Sequence, residues 1–118
     1  MCGITGIIGT EASMSELERM LKVAERRGPE GTRTVKLVDG LVGHTQLGFV
    51  NVGNNPQPFI DKDGSLIAVN GEVYNWRELN ERYELRASND TEVLLRGLRL
   101  EGKRFLEEID GQFAFIAQ

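Results

Sequence analysis

Fourteen glycines are scattered along 118 residues, and no apolar stretch between them is long. Glycine is costly inside helices and strands, so such spacing punctuates a chain into many short elements and disfavours a bundle of long helices. The size suits one domain, residues 1–118, able to bury roughly two thirds of its unfolded surface. Lys and Arg number 14 against 18 Asp and Glu, a net charge of −4. That balance disfavours nucleic acid or an anionic membrane as partner. No apolar run approaches the ~20 residues of a membrane helix, and the N-terminus lacks the basic and apolar segments of a secretory signal. A single Cys and a single His exclude an internal disulfide and the usual zinc ligand sets, so neither metal nor cofactor is expected. The absence of a disulfide framework fits a cytoplasmic location.

Between the glycines, the apolar pattern alternates between two periods. Residues 1–9 read as a buried opening strand. Ser13 to Arg27 reads as a helix with a Ser13/Glu16 capping box and an apolar stripe of Leu17, Met20, Leu21 and Ala24, stopped by Gly28-Pro29. Thr34 to Val50 reads as a hairpin turning at Asp39-Gly40, and residues 51–58 as a loop. Leu66 to Val69 is a short strand leading into Asn70-Gly71. Asn75 is expected to cap a second helix, with Glu78 three residues on. A third helix starts near Asn89-Asp90 and frays before Gly102. Asp110-Gly111 then turns into a last strand over residues 112–117. Without regular strand–helix alternation, this order predicts α+β, with helices packed on largely antiparallel sheets.

Two places can carry chemistry. Met before a small residue is generally removed by methionine aminopeptidase, which makes Cys2 the N-terminus. One residue then holds a thiol and an amine with ordinary pKa values near ~8.5 and ~7.7–8, the amine activating its own side chain. Gly3 would leave clearance for a substrate. The alternative is a buried cysteine in an edge strand. In Asn70-Gly71-Glu72, an amide NH2 and a backbone N–H can form an oxyanion hole, with Glu72 beside them to bind an ammonium; the alternative is a plain turn. Asp90 can bind an ammonium or serve as an N-cap. His44 can pair with Cys2 or be structural. Arg26 and Arg27 can meet a carboxylate or simply complement a helix C-terminus.

Taken together, the segments resemble the glutaminase domain of class II glutamine amidotransferases, and within that class the glutamine-dependent asparagine synthetases. The residues carrying the resemblance are Met1-Cys2-Gly3-Ile4 with Gly6, Arg27-Gly-Pro-Glu-Gly31, Gly43-His44, Asn70-Gly-Glu-Val-Tyr-Asn75, Asn89-Asp-Thr-Glu-Val93 and Ile109-Asp-Gly-Gln-Phe-Ala-Phe115. They fall in order over essentially the whole chain. The resemblance implies an αββα sandwich of the N-terminal-nucleophile hydrolase type. It also implies that Cys2 attacks the side-chain amide of L-glutamine, with Asn70 and Gly71 as oxyanion hole. Gln46, Val50, Glu72 and Asp90 would then contact the substrate, and the ammonia would go to a synthetase domain or subunit.

The sequence departs from that family in three places. Gln46 stands where the family has an Arg for the α-carboxylate, which exchanges a charged bidentate contact for a neutral one. Arg26 stands where the family has His. The sequence ends soon after Phe-Ala-Phe, which predicts a C-terminally shortened domain with an open sheet edge and hence a homodimer. Two competing readings are a non-catalytic relative used for binding or assembly, and an N-terminal-nucleophile hydrolase for another amide.

Overall fold

The structure is a computed structural model that describes residues 2–9, 11–48 and 56–118. It is α+β, with two antiparallel three-stranded sheets. The first sheet has the order β1-β3-β2, from Gly3–Ile8 (β1), Gly31–Leu37 (β2) and Gly40–Gln46 (β3). The second has the order β4-β5-β6, from Phe59–Ile60 (β4), Leu66–Val73 (β5) and Gly111–Ala117 (β6). The helices are Met14–Ala24 (α1), Trp76–Arg82 (α2) and Asp90–Glu101 (α3).

Strand alternation assigns the faces. On the first sheet, Leu41 packs with Leu17 and Leu21 of α1, and a Cβ on Gly43 would strike Leu21 Cδ1 at 2.7 Å, so this face lies under α1. The opposite face carries Ile4, Val35, Leu37 and Val42, packed against Leu66, Ala68 and Ile116 of the second sheet. Ile67 and Val69 turn the other way, onto Leu94 and Leu95 of α3. Val73 joins Leu79, Val93 and Phe105 in a further cluster under α2 and α3. The layers therefore run helix, sheet, sheet, helices, as expected.

Three contacts between the sheets fix how they lie on one another. Val38 N–H donates to Gln118 Oε1 at 3.1 Å, a Cβ on Gly6 would come within 2.7 Å of Ile116 Cδ1, and His44 Nε2 lies 3.2 Å from Val69 O. Gln118 exchanges backbone bonds with Leu66, and Ile116 pairs with Ala68. Moving along β3 from Gly40 toward Gln46 thus follows β5 from Leu66 toward Asn70.

Several local expectations are corrected. The helix ends at Ala24, and Glu25–Arg27 tightens into a 3-10 turn. Ser13 makes no side-chain cap; its hydroxyl lies 2.8 Å from that of Ser15. The hairpin extends further back, to Gly31, and turns on Val38-Asp39, because Leu37 pairs with Gly40. Gly40 opens β3 at φ +154°, where a Cβ would meet Ile7 O at 2.2 Å. β3 ends at Gln46, short of the predicted Val50, which lies outside the described residues.

Candidate active site

Cys2 precedes β1. Since Gly3 pairs with Thr45, Cys2 falls beside Gln46 at the end of the first sheet. Alternation puts both side chains on the face toward the second sheet, with Ile4 and His44. The thiol is half-buried, and Leu47 N–H points to Sγ at 3.5 Å. Thr45 Oγ1 accepts from Gly3 N–H at 3.1 Å and donates to Ala24 O at 3.2 Å, tying the start of β1 to β3 and to the end of α1. A Cβ on Gly3 would meet Thr45 Oγ1 at 2.5 Å and Ala24 Cβ at 2.8 Å. Gly3 is therefore bare for packing against α1, which corrects the expectation of clearance for a substrate. Arg27 Nε–H donates to Cys2 O at 3.3 Å.

His44 does not pair with Cys2. It is 1% exposed, and because a carbonyl only accepts, its Nε2–H donates to Val69 O. Its Nδ1 is buried without a partner among the described residues. Burial holds its pKa below 6.5 despite the bond to Val69, so the ring is neutral. β4 pairs only as far as Ile67, which leaves the polar groups of Val69 on an open edge. Side chains fill that role: Gln57 Oε1 accepts from Val69 N–H at 2.5 Å, and His44 holds the carbonyl. Val69, the residue leading into Asn70, is thereby held at both its N–H and its carbonyl.

Asn70 and Gly71 are not a turn: β5 runs through them to Val73. Asn70 lies on the same face as Leu66 and Ala68, toward the first sheet, and its Oδ1 is buried without a partner among the described residues. Among the described residues, no hydrogen bond occupies its NH2. Gly71 has φ +150°, and a Cβ there would meet Gln112 O at 2.1 Å, so only glycine lets β6 approach this closely. Glu72 is exposed.

Asp90 Oδ2 accepts from Val73 N–H at 3.2 Å and Oδ1 from Thr91 N–H at 2.9 Å, so its carboxylate fastens α3 to the end of β5. The N-cap is Asn89, whose Oδ1 accepts from Glu92 N–H at 2.9 Å. Asn75 holds the N-cap position of α2 without a side-chain cap there. It bonds instead to Glu108 O at 2.9 Å and accepts from Asp110 N–H at 3.0 Å.

By the register between sheets, Cys2 and Gln46 lie over the Asn70–Gly71 end of β5. Glu72 follows them exposed on β5, and Asp90 abuts Val73 from the α3 side of the second sheet. Arg33 was missed by sequence reading. It pairs with His44 across β2 and β3 and, like Val35 and Leu37, alternates onto the inner face.

The fold is a sandwich of two sheets, with Cys2 at one end of the first and Asn70 on the face of β5 turned toward it. A family model described as a glutamine amidotransferase domain matches residues 1–117, and the chain belongs to that family. It is 31% identical over 98% of its length to a glutamine-hydrolysing asparagine synthetase of Asparagus officinalis, covering 21% of that protein. It is 30% identical to glutamine-hydrolysing asparagine synthetase 3 of Arabidopsis thaliana, over 98% of this chain and 22% of that one. It is 29% identical to glutamine-hydrolysing asparagine synthetase B of Escherichia coli K12, with the same coverage of 98% and 22%. The chain thus spans about a fifth of the length of these relatives. Among the described residues, no helix is long and apolar enough to cross a membrane.

Proposed function

We propose that residues 1–118 act as one glutaminase domain that hydrolyses the side-chain amide of L-glutamine to glutamate and ammonia, with Cys2 as an N-terminal nucleophile. What supports this reading is the register that sets Cys2 beside Gln46, together with the bond from His44 to Val69, the residue before Asn70. The α-amine of Cys2 takes the thiol proton, sulfur attacks the amide carbon, and charge builds on the amide oxygen. Donors aimed at that oxygen, the Asn70 NH2 and the Gly71 N–H, lower the barrier by several kcal/mol. The C–N bond breaks as the ammonium of Cys2 protonates the departing nitrogen, and water then hydrolyses the γ-glutamyl thioester. Glu72 and Asp90 supply negative charge for the substrate's ammonium, and Gln46 and Val50 complete its contacts.

On this reading the ammonia passes to a synthetase domain or subunit, and the protein works in the cytoplasm. A homodimer would pair through an open strand edge such as β6; a monomer by light scattering at micromolar concentration counts against it. The test of function is ammonia release from L-glutamine by the processed chain, lost in Cys2→Ala. Hydrolysis that survives that substitution removes Cys2 from the chemistry.

A further inference from the structure

We propose that Arg33 binds the α-carboxylate of the amino-acid substrate, an inference that rests on the glutamine reading above. An amino acid held at the mouth between the sheets brings a carboxylate that needs a cation, and residue 46, the polar side chain beside Cys2, is a neutral glutamine. Three arginines stand near this end. Arg27 is spent on Cys2 O, and Arg26 lies in the turn that closes α1, on the outer side of the first sheet. Arg33 alone is on the inner face. Its register fixes it there: Arg33 opposes His44, and Gly31 opposes Gln46.

Among the described residues of β1, β2 and β3 that alternate onto that face, Arg33 is the one charged residue. It is exposed and makes no hydrogen bond or ion pair among the described residues. Glu30, the nearest acid in sequence, spends Oε2 on Gly48 N–H at 3.0 Å. Gly31 puts no side chain opposite Gln46, so the diagonal from Arg33 to Gln46 is open, a separation of roughly 7–8 Å that a long side chain spans. The buried Nδ1 of His44, an acceptor directly beside Arg33, has no partner among the described residues and can take an N–H that the guanidinium does not give to the carboxylate. A guanidinium there can take a carboxylate bidentately, with the Gln46 amide adding a neutral donor.

The experiment is calorimetric titration of the processed Cys2→Ala protein, which cannot turn over ligand, with L-glutamine and with L-glutaminamide, whose α-carboxyl is a neutral amide. Arg33→Gln should weaken L-glutamine about ten- to a hundredfold and leave L-glutaminamide unchanged. Arg33→Lys should recover part of the loss, and Gln46→Arg added to Arg33→Gln should recover most of it. Equal weakening of both ligands, or unchanged binding of L-glutamine, overturns the assignment while leaving the glutamine reading intact. Failure of L-glutamine to bind without the Arg33 substitution, together with no hydrolysis by the processed chain, removes both.

Discussion

The two ends of the sandwich treat polar groups in opposite ways. At the Asp61 end charges are matched: Arg96 Nε donates to Asp61 at 2.9 Å, and Arg99 reaches Asp61 at 3.3 Å and Asp63 at 2.5 Å. The Asp61 side chain is 8% exposed, and the bond from Arg96 holds its pKa down to about 2. At the Cys2 end the groups stand open. Among the described residues, Asn70 Oδ1 and His44 Nδ1 are buried without partners and Arg33 is unpaired. Buried polar atoms without partners cost stability. On the proposed function, the paired end holds the fold together and the other end carries the chemistry.

Substitutions at the two ends should therefore separate activity from stability. The largest effect is expected from Cys2→Ala, which abolishes amide hydrolysis while the melting temperature stays put, because among the described residues the thiol makes only weak contacts with the backbone of Leu47. Phe105→Ala should do the reverse. The ring is fully buried and lies against Gly97, where a Cβ would approach it to 2.2 Å, so truncation costs about 3–5 kcal/mol by denaturant unfolding. Asp61→Asn should cost about 1–3 kcal/mol and leave the KM for glutamine unchanged, since it uncouples Arg96 far from the mouth. Its acid signature follows from the depressed pKa. The stabilisation is whole above pH 3.8 and is lost as pH falls from there toward about 2, a loss absent in Asp61→Asn.

The smallest effect belongs to His44. Its folded pKa lies below the ordinary 6.5, so the unfolded chain binds the proton more readily. Stability is whole above pH 6.5 and falls below it, by at most about 1.4 kcal/mol per pH unit. His44→Gln, which keeps a donor for Val69 O, should flatten thermal melts measured between pH 7.5 and 5.5. An unchanged slope would mean that another group carries the pH dependence.

Much of this was legible because it depends on local chemistry. Gly28-Pro29 stops the first helix region, and the stripe of Leu17 and Leu21 does meet the sheet. The order of strands and helices announced α+β packing. What escaped depends on partners distant in sequence. Asn70-Gly71 reads as a turn, yet the close approach of Gln112 and Phe113 keeps it in a strand at a φ that glycine tolerates. Asn75 has the identity of a helix cap, but the chain returning at Glu108 and Asp110 claims its amide. Arg33 was within reach of the sequence: a two-residue turn at Val38-Asp39 pairs Leu37 with Gly40, and counting back from it pairs Arg33 with His44. Starting the strand at Thr34 left it out.

The decisive measurement is an intact mass spectrum before and after incubation with a diazo-ketone analogue of glutamine, which alkylates a thiol only beside a pocket that binds the amino acid. A working site predicts a chain lacking Met1 that gains one adduct, with none in Cys2→Ala and protection by excess L-glutamine. A processed chain that stays unlabelled, while iodoacetamide modifies the same thiol in the folded protein, would contradict a glutamine site at Cys2.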